Sequence, residues 1–146
     1  MRVAIDAARK AIASQDIPVG AAIFNSAGEL VATGHNEREL DNDPTAHAEI
    51  VAIRNASEKL GDWHLTDHTL VVTLEPCAMC AGAIAQSRLQ TVVFGAWDEK
   101  AGAVGSVWDL LRDPRSTFRT EVRAGVLAEE CRELIKSFIQ GVRTKD

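Results

Sequence analysis

The chain has 146 residues, 46% of them hydrophobic and 25% charged, with a net charge of −5. That length suits one core, so one domain is expected over residues 1–146. No apolar run approaches the ~20 residues that a bilayer span needs, and no basic, apolar and cleavage regions follow one another as in a secretory signal. The expectation is therefore a cytoplasmic protein with no membrane partner and no organic cofactor. The acidic balance counts against nucleic acid, because phosphate contacts need lysine and arginine. A local basic patch would still be compatible with it. Cys77, Cys80 and Cys131, with one close pair, do not look like a secreted disulfide framework.

In chain order, residues 1–14 read as an amphipathic helix with Val3, Ile5, Ala8 and Ile12 inward, ended by Asp16-Ile17-Pro18. Residues 18–25 and 29–35 read as strands, and Asn25-Ser26-Ala27-Gly28 between them predicts an antiparallel hairpin. Residues 36–43 are polar and read as a loop. A helix is predicted over 45–60, capped by Asp43 or Thr45, with Pro44 in its first turn and Gly61 at its end. Residues 69–74 form a buried strand, and Pro76 opens a short helix over 77–87. Residues 91–95 form another apolar strand, so a parallel, right-handed crossover is expected. Residues 96–125 show no clear pattern. Residues 128–140 make a last amphipathic helix, with Leu127, Cys131, Leu134, Ile135 and Phe138 on one side. The sum is a three-layer α/β/α sandwich around a mixed sheet of about five strands.

Two segments carry chemistry. His47-Ala48-Glu49 opens one helix, and Pro76-Cys77-Ala78-Met79-Cys80 opens another. Cysteines at i and i+3 share a helix face, and a helix N-terminus favours thiolate over thiol. Two thiolates and an imidazole suit zinc. Three protein ligands leave the fourth position for a water whose pKa falls towards neutrality. No fourth ligand stands out, and Cys131 reads as a core residue. Glu49, two residues from His47, does not share its helix face, which leaves its carboxylate free to move protons. Taken alone, Cys-x-x-Cys also fits a redox pair, and a histidine or glutamate at a helix start also fits a cap. His35, His64 and His68 read as surface residues.

At these residues the sequence resembles the cytidine/deoxycytidylate deaminase superfamily, with its H-x-E and P-C-x-x-C signature. The bacterial tRNA-specific adenosine deaminases are the most similar branch. Ile17-Pro18-Val19-Gly20, Asp43 to Glu49, Thr73 to Ala83, Val92 to Ala96 and Lys100 to Ser106 carry that likeness. The resemblance implies one Zn2+ per subunit on His47, Cys77 and Cys80, with Glu49 as the catalytic proton carrier. It implies deamination of adenosine to inosine in a tRNA anticodon loop, by a homodimer. It places Asn36 and Val19 at the base, and Asp98 and Phe138 near the RNA. The C-terminal segment from Ser137 carries only Arg143 and Lys145 as basic residues, and Trp97 stands where the family often has a basic one. Arg88, Arg112, Arg115, Arg119 and Arg123 are the remaining basic candidates, with Asp109, Asp113 and Glu121 among them. The competing readings are a zinc deaminase of a free base or nucleoside, a non-catalytic subunit, and a thiol redox protein. Glu49 argues against the non-catalytic subunit.

Overall fold

The computed structural model describes residues 1–145. Strand β1 (Gly20–Phe24) pairs antiparallel with β2 (Leu30–His35) across the Asn25–Gly28 turn. The Asn25 side chain closes that turn, its Oδ1 accepting the Ala27 and Glu29 N–H groups at 3.0 and 2.9 Å. Gly28 supplies the positive φ of 78° that the turn requires. On its other side β1 pairs antiparallel with β3 (Thr69–Leu74). β3 then runs parallel to β4 (Thr91–Ala96), and β4 parallel to β5 (Glu121–Arg123). The five-stranded sheet has the order β2-β1-β3-β4-β5.

Period-two alternation divides the core between two faces. Ala21, Ile23, Leu70, Val72, Val92 and Phe94 face helices α3 (Ala48–Leu60) and α4 (Ala78–Gln86). Ala22, Val71 and Val93 face α1 (Arg2–Lys10). Helix α5 (Ala128–Arg143) lies on that second side, where Cys131 packs with Ile5 and Ala96. The result is the expected α/β/α sandwich around a mixed five-stranded sheet.

Three local readings change. The inner face of α1 is Ala4, Ile5, Ala8 and, just beyond the helix, Ala11, while Val3 and Ile12 are exposed. The physical reason is close approach. At Gly20 a Cβ would collide with the Ala4 carbonyl and the Ala8 backbone, so the turn of α1 carrying Ala4 and Ala8 is the one that seats on the strand. Helix α3 starts at Ala48 rather than near 45, because Asp43 closes its own turn. Its Oδ1 accepts the Thr45 N–H at 2.8 Å and the Thr45 hydroxyl at 2.7 Å, leaving His47 as the N-cap. The expected loop over 36–43 contains a short helix, α2 (Arg38–Asp41). The buried carboxylate of Asp16 holds it by accepting the Glu39 and Leu40 N–H groups at 2.7 and 3.2 Å.

Gly34 of β2 shows how tightly α3 seats. A Cβ there would stand 2.5 Å from the Ala52 nitrogen and 2.6 Å from the Ala48 carbonyl oxygen, both backbone atoms. Gly34→Ala is expected to destabilise the fold by about 1–3 kcal/mol, read as a lower urea midpoint at unchanged slope.

Candidate active site

His47 and Cys77 occupy equivalent places. Each is the N-cap of its helix, with extended backbone (φ −69°, ψ 154° for His47; φ −74°, ψ 177° for Cys77). An N-cap side chain projects off the helix end rather than along its flank. Cys80 follows one turn into α4 and is fully buried. Because α3 and α4 lie in the same layer, the two helix ends meet. His47 Nδ1 stands 3.6 Å from Cys77 Sγ and 3.5 Å from Cys80 Sγ. All three ligand atoms lie within 4.8 Å of one another.

These separations test the fit of a metal. Zinc about 2.3 Å from sulfur and about 2.0–2.1 Å from nitrogen, at tetrahedral angles, sets the S···N edge at about 3.5 Å. Both observed edges have that length. Among the described residues this is the one group of three or more histidine, cysteine and acidic side chains so arranged. The charge state agrees. Without an ion, a hydrogen bond from the Cys80 thiol holds the Cys77 thiol down at about 3, while the same bond and burial push Cys80 up. The pair thus retains a proton that a metal would displace.

Glu49 lies in the first turn of α3 with only 3% of its surface exposed. Burial pushes its carboxyl up to about 7, against the pull of the Cys80 thiol and His47. A carboxyl poised there both takes and gives a proton at neutral pH. Glu49, His47 and Cys77 line a cavity of about 180 Å³ together with Val19, Asn36 and Asp98. The structure therefore gathers six of the eight residues singled out from sequence around one cavity, with Cys80 behind it. Phe138 is not part of it. That ring is half-buried on α5, beside Ile12 and Gln15. Asn36 ties the cavity rim together, its Nδ2 donating to the Ile17 carbonyl at 3.2 Å and its Oδ1 accepting the Arg38 N–H at 3.3 Å.

Sequence reasoning missed Ile17, Arg38, Leu74, Glu75 and Ala101 in the cavity wall. No local signal marks Glu75, because glutamate is almost never fully buried unless paired, yet it is 2% exposed. The mixed-charge arginines pair locally, Arg112 with Asp109, Arg115 with Asp113 and Arg123 with Glu121. Arg88 lies instead over the Phe118 ring, 3.4 Å from its centroid.

Residues 1–96 match the model of the cytidine and deoxycytidylate deaminase zinc-binding region. The chain belongs to this deaminase family. As a member it is a zinc-dependent hydrolase. It is 46% identical over 140 residues to a tRNA-specific adenosine deaminase of Haemophilus influenzae, covering 96% of this chain and 81% of that one. It is 44% identical over 145 residues to the Bacillus subtilis enzyme of the same name, covering 99% of this chain and 89% of that one. A solved structure from work on A-to-I editing by tRNA:A34 deaminases superimposes with a TM-score of 0.88 at 39% identity, covering 92% of this chain and 96% of that one. A guanine deaminase from Nitrosomonas europaea matches with a TM-score of 0.78 at 27% identity, covering 94% and 81%.

Cys80→Ala is expected to leave the deaminase with well under one zinc per chain by elemental analysis. Its melting temperature should fall and no longer respond to a chelator, because metal binding and folding are coupled.

Proposed function

We propose that this deaminase converts adenosine to inosine at the wobble position of tRNA, by one domain spanning residues 1–146. The observation that carries it is the cavity built on His47, Cys77 and Glu49, in a chain that two tRNA-specific adenosine deaminases match over nearly its full length at 46% and 44% identity. At about 180 Å³ the cavity is smaller than the ~300–1,000 Å³ of pockets that enclose whole drug-sized ligands. It suits one base extruded from its strand, with the polymer outside.

His47, Cys77 and Cys80 hold the zinc. Zinc in that position supplies Lewis-acid activation of a water, lowering its pKa towards neutrality. Glu49 takes up the proton that this activation releases. It passes that proton to the ring nitrogen, then takes the remaining proton of the attacking oxygen and passes it to the departing amine, so adenine and water become hypoxanthine and ammonia. Val19 and Asn36 hold the base, and Asp98 borders the nucleotide at the cavity rim. Phe138 contacts RNA further out along α5.

The protein acts as a cytoplasmic homodimer in this reading. Val107, Trp108 and Leu110 are exposed on the loop that a Cys77–Gly102 bridge joins to the start of α4, where Met79 is exposed too. Such an apolar group beside the site suits a second copy of the chain. A free-base deaminase is the second reading, favoured by the net charge of −5 and the self-paired arginines.

Offered an anticodon stem-loop with adenosine at the wobble position, free guanine, free cytosine and free adenosine, the zinc-loaded protein is expected to form inosine in the RNA alone. Ammonia from a free base without inosine in RNA would overturn the substrate assignment. Glu49→Ala should keep its zinc and lose activity by at least ~10²–10⁴-fold. Light scattering should give twice the chain mass of 15.8 kDa for the parent and a monomer for Trp108→Asp.

A further inference from the structure

Glu75 directly follows β3, in the segment that leads into Cys77, and its carboxylate faces inward, 2% exposed. A buried carboxylate is costly unless hydrogen bonds compensate it. Here one loop supplies them all. Oε1 accepts the Asp98 N–H at 3.0 Å. Oε2 accepts the N–H groups of Val104 at 3.1 Å and Ser106 at 3.0 Å. The Ser106 hydroxyl donates to Oε1 as well.

The loop is shaped around this anion. At Gly102 any Cβ would strike the Glu75 carboxylate itself. Gly102 also bridges to Cys77, and the Ala103 N–H donates to the Pro76 carbonyl at 2.8 Å. The Glu75 N–H meanwhile donates to the Ala96 carbonyl at 2.8 Å. One residue thus links the chain that carries Cys77 to the loop that carries Asp98 and Ala101, which line the same cavity.

We propose that Glu75 is a positioning residue for substrate: by collecting the N–H groups of residues 98–106 it holds the Asp98 wall at a set distance from the metal-binding turn. Its task needs a carboxylate. Four donors converge on two oxygens that together offer about four lone-pair sites. A glutamine would present an amide NH2 to some of those donors and lose the charge-assisted bonds. Glu75 therefore acts through Asp98 and its loop, not on the reacting atoms.

The inference rests on the RNA reading only for its probe. Binding of a fluorescent wobble-adenosine stem-loop would be measured with zinc-loaded protein in a Glu49→Ala background, where no turnover occurs. Glu75→Gln is expected to keep one zinc per chain and weaken binding about tenfold, the scale of a lost charge-assisted bond. In an Asp98→Ala background the same change should weaken binding by less than about threefold, because residues acting as a unit are not additive. A general loss of stability would not produce that coupling. Should Glu75→Gln fail to fold, Ser106→Ala, which removes one donor and keeps the anion, is expected to weaken binding about threefold with the same coupling to Asp98. Unchanged binding, loss of zinc, or full effects in the Asp98→Ala background would overturn the proposal. If the parent ignores RNA but hydrolyses guanine, the substrate assignment fails separately, and the same cycle is read on guanine KM with Glu49 restored.

Discussion

The site depends on two helix N-termini being brought to the same point over the sheet. An N-cap residue has extended backbone while the next residue is already helical, so its side chain leaves along the helix end. His47 and Cys77 both use this geometry, and Cys80 adds a second sulfur one turn further on. The partial positive charge of a helix N-terminus favours the thiolate that a metal needs. What makes the two ends coincide is the layer packing. Helices α3 and α4 bury alanines, Ala48, Ala52 and Ala56 on one and Ala81 on the other, against the same face of the sheet.

Small residues recur wherever backbones must approach. Gly20 admits α1, Gly34 admits α3, and Gly95 leaves room for the Cys131 sulfur. The rigid scaffold that follows positions two segments that line the cavity, Ile17 and Val19 with Asn36, and Asp98 with Ala101. Each is held by a buried carboxylate accepting backbone N–H groups: Asp16 takes Glu39 and Leu40, and Glu75 takes Asp98, Val104 and Ser106. A pocket with fixed walls loses little entropy when a base enters it. The acidic surface is compatible with this arrangement. Arg112, Arg115 and Arg123 satisfy neighbouring carboxylates, whereas Arg38 stands in the cavity wall.

Much of this was legible beforehand. The hairpin was written in Asn25 to Gly28, the parallel β3–α4–β4 unit in two apolar strands around Pro76, and the metal site in three residue types at two helix starts. The grouping of His47, Cys77 and Cys80 is legible because it obeys local rules, helix ends and i, i+3 spacing, that need no knowledge of the rest of the chain. The Val3 and Ile12 assignments failed because hydrophobicity ranks them above alanine, whereas the close contact with Gly20 turns Ala4 and Ala8 towards the strand. The start of α3 was misjudged because Asp43 had two local uses, capping a helix or closing its own turn, and both obey the same chemistry.

The sequence by itself determined most of the element types and their order, though not α2 or β5, and the donor types of the site, since these follow from periodicity, turn residues and ligand types over a few neighbours. The tertiary structure decided which residues share the cavity. Glu75 meets Val104 and Ser106 across about thirty residues, and Asp16 meets Leu40 across 24. Such pairings have no local signature, because a buried carboxylate accepts any N–H that the fold delivers. Only the packed chain says which one arrives.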